Sequence, residues 1–313
     1  MALTQRLFTR FRARAEHRPV GARRPSSPSV SIRWLGTAGH VVSTESTTVL
    51  LDPFLSRPSL RELARPLESN PDAIFRWMPD RVDAILVGHS HYDHLLDTPV
   101  IARRFGAKIF GSASTLAVAK AAGVQADRLE LVPPEGRTAK IGDIEIAFIP
   151  SLHGRIFLGR VPFPGEMKNG RGPRYAWHYR MGGAFGVWLN AGGRSIYHNG
   201  SADLVDAELA DRTADVLLVG LAGRRATRDY LGRLGGTLAP QLIVPTHHDA
   251  FFGPLELGER LLPGIDLDGF FGEMGHVSPR ARIVTPLYRD DVVIPTDGDP
   301  RDAVVVEREG LPG

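Results

Sequence analysis

Residues 88–97 read GHSHYDHLLD, three histidines and two aspartates in ten positions. Either this is a polar loop that caps a helix, or it is half of a metal site. His89 and His91 stand two apart, so in an extended segment their side chains point the same way. Asp93 and His94 follow where LLDTPV turns the chain. The first pair suits one ion and the second pair a neighbouring ion. Imidazole and carboxylate ligands at about 2 Å favour zinc, with manganese and iron open on ligand type. Such a density of ligand types argues for the metal site, whose remaining ligands must come from elsewhere.

The sequence around this stretch alternates strands and helices. VDAILVG (82–88) is a short apolar run of the buried-strand kind. TPVIARRFG (98–106) reads as a helix stopped by Gly106, AKIFGS (107–112) as a strand, and ASTLAVAKAAG (113–123) as a helix stopped by Gly123. Upstream, SIRWLGTAGHVV (31–42) and TTVLLDPF (47–54) read as strands, and the proline-containing residues 59–80 as helical or irregular. DIEIAFIPSLHG (143–154) is a strand running into His153. The second half repeats the grammar, with a hairpin turning at Ala191–Gly193, then strand, helix and the strand QLIVPTHHDAFF (241–252). DAILVGHS (83–90) and DVLLVGLA (215–222) match as one strand used twice, with Leu221 in the place of His89. Strands interleaved with helices in both halves predict α/β layering, in which ligands gather where strands end.

Composition narrows the chemistry. The 313 residues suffice for one large α/β domain or two smaller ones. Cysteine is absent, which excludes disulfides and thiolate metal ligands together. No apolar run is long enough to span a membrane as a helix. The net charge of +3 belongs to the first 29 residues, which carry seven arginines against Glu16 alone; the remaining body holds 31 basic and 34 acidic residues. Such a body does not favour a nucleic-acid partner. Residues 1–29 are expected to be a disordered basic leader ending in RRPSSPS. An alternative places Leu3, Leu7, Phe8 and Phe11 on one helical face, giving peripheral membrane contact through residues 1–15. The Arg-rich, acid-poor leader also resembles an organelle transit peptide. A cytoplasmic location follows, with membrane association as the variant. The main domain is expected over 30–295 and a C-terminal tail over 296–313.

HSHYDH resembles the signature of the metallo-β-lactamase superfamily, and the similarity covers most of residues 31–290. WLGTAGHVV, LLDPF and HSHYDHLLD look most like its branch containing ascorbate-6-phosphate lactonase and N-acyl-phosphatidylethanolamine phospholipase D. The resemblance implies a four-layer αββα sandwich with two mixed sheets, holding one or two metals between them. It implies His153 and His247 as further ligands beside His89, His91, Asp93 and His94, and Asp52 as a carboxylate orienting a ligand histidine. His198 and His248 would stand behind the ligands. One element departs from the pattern: the family's bridging aspartate follows a strand-ending glycine, whereas this chain has YHNGSADL, with Ser201 there and Asp203 two residues on. The expectation is that Asp203 bridges after a loop rearrangement, because two cations need charge compensation.

Two divalent ions would lower the pKa of a trapped water from 15.7 toward ~7, so that hydroxide attacks an ester, phosphodiester or lactone, with Asp93 orienting it. No G-x-S-x-G elbow offers a covalent route. Residues 155–180 read as a lid. They carry Arg155, Arg160, Lys168, Arg171, Arg174 and Arg180 against Glu166, interleaved with Phe157, Phe163, Tyr175, Trp177 and Tyr179. Such a loop suits a small anionic or lipid-like substrate with an apolar part, with Arg155, Tyr179 and Arg180 as its contacts and Arg224 and Arg225 as lesser ones. A nuclease of the same superfamily and a non-catalytic metal scaffold are the rival readings.

Overall fold

The computed structural model of the chain describes residues 8–21, 28–156, 158–167 and 172–308. Six strands come first: β1 (Ser29–Trp34), β2 (His40–Ser43), β3 (Thr48–Leu51), β4 (Ala84–Leu86), β5 (Lys108–Gly111) and β6 (Leu129–Leu131). Between β3 and β6 lie α1 (Pro71–Trp77), α2 (Tyr92–Leu95), α3 (Thr98–Phe105) and α4 (Ala113–Ala121). The second half supplies β7 (Arg137–Ile141), β8 (Ile144–Pro150), β9 (Phe185–Ala191), β10 (Arg194–Asn199) and α5 (Asp206–Leu209). It continues with β11 (Val216–Gly220), α6 (Tyr230–Leu238), β12 (Leu242–Thr246), α7 (Leu267–Val277) and β13 (Arg282–Ile283). The chain then returns to the first sheet with β14 (Asp290–Pro295) and β15 (Val304–Glu307).

The two sheets run β15-β14-β1-β2-β3-β4-β5-β6 and β13-β12-β11-β10-β9-β8-β7. Each joins an antiparallel run to a parallel one. In the first sheet the switch falls between β3 and β4, and in the second between β10 and β11. The repeated octapeptide therefore marks equivalent strands: β4 and β11 each begin the parallel half of their sheet. Both are buried along their whole length, which is why they read as continuous apolar runs rather than alternating ones.

Three apolar clusters define the layers. Ile32, Val49 and Leu86 from one sheet meet Ile146, Ile196 and Leu218 from the other in the central core. Each such side chain contributes about 1.5–3 kcal/mol by leaving water. On the outer face of the first sheet, Leu50, Ile85 and Ile109 pack with Ile74 of α1, Ile101 of α3 and Val118 of α4. On the outer face of the second, Leu217, Val219 and Ile243 pack with Leu231 and Leu234 of α6 and Phe270 of α7. This is the αββα sandwich the motifs imply.

Local chemistry explains the element ends. Ser112 caps α4 by accepting from the Thr115 N–H at 3.3 Å, and Gly106 closes α3 with a φ of 66°. The β9–β10 hairpin turns at Gly192 and Gly193, with φ of 54° and 76°, the paired left-handed conformation of a tight two-residue turn.

Two boundaries differ from the sequence expectation. Residues 8–21 do not behave as a solvated leader. Phe8 is buried and stacks on Phe252 at 5.9 Å, and Phe11 meets the edge of His248 at 5.5 Å. Arg18 grips both carboxylate oxygens of Asp290 at 2.7 Å, and Val20 bridges to Val305. Arg14 and Arg18 find acidic partners on the body and Phe8 and Phe11 aromatic ones, so these two phenylalanines pack against the domain. Leu3, Leu7, Arg6, Arg23 and Arg24 lie outside the described residues. Likewise 296–313 is not merely a tail, because β15 pairs with β14 and completes the first sheet. No helix of the described residues is long and apolar enough to cross a membrane.

Candidate metal centre

β4, β8, β10, β11 and β12 finish at one end of the sandwich, and the loops that follow them converge. His89, His91 and His153 each place a ligand atom within 4.8 Å of the others, and so do Asp93, His94 and His247. The groups adjoin, with the His89 and His94 ring centroids 3.8 Å apart. His91 stands at the start of the short helix α2 in extended conformation, and Asp93 and His94 occupy its single turn. That change from strand-like to helical backbone is what sends the two pairs to different groups.

The supports behind the histidines fix which nitrogen is free. A carbonyl oxygen only accepts, so the ring nitrogen facing it carries the proton. His91 Nε2 donates to the Pro162 carbonyl at 2.9 Å, leaving Nδ1 its lone pair. His153 Nδ1 donates to the Gly154 carbonyl at 2.8 Å, leaving Nε2. His94 Nδ1 lies 3.0 Å from Asp52 Oδ2, a bent contact that again leaves Nε2 toward Asp93. The other Asp52 oxygen accepts from the Gly88 N–H at 2.7 Å. A Cβ at residue 88 would stand 3.1 Å from both Asp52 Oδ2 and the Phe185 carbonyl, so glycine there permits the close approach.

Electrostatics bias most of the candidate ligands toward their metal-binding forms. Burial and the neighbouring histidines hold His89 well below the usual imidazole value. Burial, with His91 nearby, pulls His153 down to about 4. Burial would raise the Asp93 carboxyl, but His94, His247 and His91 together overcome it and keep Asp93 ionised. Burial opposes protonation of His94, and Asp52 with Asp93 more than offsets it. The site therefore favours neutral imidazoles at His89, His91 and His153 and a carboxylate at Asp93, whereas His94 is biased toward its protonated form, a proton that a bound cation would displace.

These residues fit divalent cations. His89 Nε2 is buried without a hydrogen-bond partner, a costly arrangement for a polar atom unless something else satisfies it. Nitrogen and carboxylate donors without thiolate match zinc, manganese or iron.

A family model for the β-lactamase superfamily domain matches residues 47–280, a span that holds both ligand groups. The chain belongs to the metallo-β-lactamase superfamily. Within it, the chain belongs to the UPF0173 metal-dependent hydrolases: one such protein of Anaeromyxobacter dehalogenans (strain 2CP-C) is 30% identical over 228 residues, 70% of this chain and 75% of the relative. Among solved structures, the metallo hydrolase Igni18 of Ignicoccus hospitalis covers 90% of this chain and all of its own, with a TM-score of 0.53 and 18% identity. CmlA, a diiron β-hydroxylase of Streptomyces venezuelae, aligns over 87% of this chain and 54% of its own, with a TM-score of 0.55 and 15% identity. Both likenesses show the fold alone. This superfamily member is a metal-dependent hydrolase.

In the hydrolase the other expected site residues fall in mixed places. Asp52 lies against His94, its Oδ2 3.0 Å from the ring Nδ1. His198 is buried beside Asp52, and burial draws it down to about 4 against that carboxylate. His248 is instead an aromatic packing residue, stacked on Trp34 at 4.5 Å. Asp203 does not join the ligands. Its Oδ1 accepts from the Leu204 N–H at 2.9 Å and faces Arg233 at 3.7 Å, so the bridging role expected of it is corrected. The position after the strand-ending glycine is Ser201, whose hydroxyl donates to the Leu152 carbonyl at 2.8 Å. Among the described residues Asp93 is thus the one carboxylate of the six candidate ligands.

The expected substrate contacts lie apart from the cavity beside the candidate ligands. A cavity of about 180 Å³ opens on the ligands, walled by Tyr92, Ile156, Phe163, Phe251 and Leu262. Of the loop 155–180, apolar residues line it, whereas Arg155 is exposed outside it and Arg180 lies in another cleft with Glu166 and His178. Tyr179 is a core residue. Phe157, Lys168 and Arg171 lie outside the described residues. Sequence reasoning missed Phe251 and Leu262 as walls; only the position of Phe251 just after His247 could have signalled one of them.

Proposed function

We propose that the protein is a two-metal hydrolase of a small substrate with an apolar part, cleaving an ester, lactone or phosphodiester. The observation that carries this reading is the pairing of two adjoining three-ligand groups with a cavity whose walls are apolar. Two divalent ions, zinc on ligand type, would supply an activated water and polarise the scissile group. His89, His91 and His153 would hold one ion, and Asp93, His94 and His247 the other. Asp93 lines the cavity and is ionised, and its carboxylate would accept a hydrogen bond from the attacking water and so orient it. Tyr92 stays protonated because burial raises its hydroxyl well above the usual value, so the wall adds no charge. Ile156, Phe163 and Leu262 bind the apolar part and exclude bulk water. The volume favours a small molecule over a nucleic-acid strand. The motif likeness to the lactonase and phospholipase D branch belongs to this same reading.

The anionic part of the expected substrate has one supporting observation. A second cleft of about 360 Å³ shares Ile156, Ala222 and Leu262 with the metal cavity and contains Arg224 and Arg225. Both arginines already face carboxylates, Glu273 and Asp266. An anionic group in this cleft would compete with those partners. The deciding experiment screens metal-loaded protein on matched neutral and anionic esters, lactones and phosphodiesters, with a chelator control. Turnover that depends on metal and rises with an apolar group supports the reading. Turnover that is indifferent to chelator, or confined to substrates without an apolar group, overturns it.

A further inference from the structure

His247 occupies a backbone conformation that needs holding. Its φ is 52°, in the left-handed region that side chains rarely adopt and that persists only where the surroundings enforce it. The enforcement runs through one carbonyl. The His247 N–H donates to the Thr37 oxygen at 2.7 Å, and Thr246 Oγ1 and Trp34 Nε1 donate to the same oxygen at 2.6 and 3.0 Å. Thr37 is itself left-handed, with φ 51°, and its N–H donates to Asp249 Oδ1 at 2.8 Å.

Behind Thr37 lies a buried charged cluster with no direct contact to any ligand side chain among the described bonds. Asp249 Oδ2 accepts from the Tyr288 hydroxyl at 2.7 Å and from Arg57 Nη2. Arg57 Nη1 donates to the Tyr288 oxygen at 3.0 Å, and Nη2 also reaches the Ala250 carbonyl at 3.1 Å. All three side chains are buried. An ion pair so enclosed is weak as a source of stability, since apolar groups of similar volume often do as well. What it supplies instead is a fixed direction for the Thr37 turn.

Resting on the two-metal reading, we propose that Arg57, Asp249 and Tyr288 are positioning residues for the Asp93, His94 and His247 group, acting through Thr37 on His247 alone. The His89, His91 and His153 group is held independently, through the Pro162 and Gly154 carbonyls. His94 is held through Asp52. Loss of the cluster therefore frees one ligand of one group and leaves the other group intact. Second-sphere losses of this kind cost about 10- to 100-fold in metal affinity.

The test is zinc stoichiometry and affinity of the full chain by chelator competition, with cobalt absorption as a signature of each site. Asp249→Asn, Tyr288→Phe and His247→Ala are compared with the native chain. Tyr288→Phe keeps the ring in place and decides the matter where Asp249→Asn fails to fold. The expected result is one ion weakened at least tenfold, the other held within twofold, and a residual cobalt spectrum matching that of His247→Ala. Both ions weakened alike, or neither, overturns the proposal. A native chain that binds a single ion refutes the two-metal reading separately. The positioning role then stands if the cluster variants reproduce the metal affinity of His247→Ala and falls if they do not.

Discussion

His91 Nε2 lies 2.9 Å from the carbonyl oxygen of Pro162, so a candidate metal ligand is fixed by the loop that walls the cavity beside it. Metal and loop are therefore coupled in both directions. Pro162→Gly widens the conformational range of that carbonyl without removing it. The expected outcome is zinc affinity at one site lower by up to about tenfold, read by chelator competition. Unchanged affinity would show that the loop carbonyl is dispensable for orienting His91.

Ser201 stands where a bridging carboxylate would bring a second negative charge. It lines the cavity, and its hydroxyl is engaged by the Leu152 carbonyl. Ser201→Asp adds a carboxylate beside ligands that otherwise include only Asp93. The expected outcome is tighter binding of the second ion, by about tenfold or more, because a bridging charge offsets cation repulsion. Without metal the same variant should unfold more easily, by about 1–3 kcal/mol, since the carboxylate is then buried unpaired. A calorimetric melt with and without zinc separates the two effects; a variant equally unstable in both states refutes the bridging argument.

The buried histidines set the pH dependence of the metal-free protein. Burial and His198 hold His40 well below its usual value, and burial pulls His198 down to about 4. In the unfolded chain both titrate near 6.5. Between those values the unfolded chain binds more protons than the folded one, so stability rises with pH and is lost as pH falls from about 6.5 toward 4. His198 alone accounts for a loss on the order of 3 kcal/mol across that window. Urea unfolding at pH 7, 6 and 5 should show this decline, and His198→Phe should flatten it. A steeper decline in the variant would remove His198 from the account.

The legible part of the site is the part built from local sequence. GHSHYDHLLD carries four of the candidate ligands because a strand end and one helical turn fall within ten residues. His153 and His247 were readable because each follows an apolar strand, and the layers because strand and helix periods alternate in both halves. What local sequence cannot display is contact across the fold. Arg57 and Tyr288 are 231 residues apart, and nothing near either marks a shared carboxylate. The basic lid misled for a related reason. Charge content says what a loop contains, whereas the backbone decides which residues border the cavity, and here Ile156 and Phe163, both still solvent-exposed, do so. Asp203 failed as a bridge because Leu204 and Arg233 already satisfy its carboxylate.

That apolar rim yields the last expectation. Ile156 and Phe163 wall the cavity from the lid, and Phe251 and Leu262 wall it from the second half of the chain. Apolar walls bind an apolar group equally in the ground and transition states, which lowers KM rather than raising kcat. Truncating one wall residue removes about 1–3 kcal/mol of such contact. Phe163→Ala and Phe251→Ala should therefore raise KM by roughly tenfold for a substrate with an apolar group, with kcat nearly unchanged. Arg155→Ala, altering a side chain exposed outside the cavity, should leave kcat/KM within about twofold. Steady-state kinetics on one neutral and one anionic substrate distinguish the cases. A large loss from Arg155→Ala with none from Phe163→Ala would return the lid's arginines to the substrate and refute the apolar site.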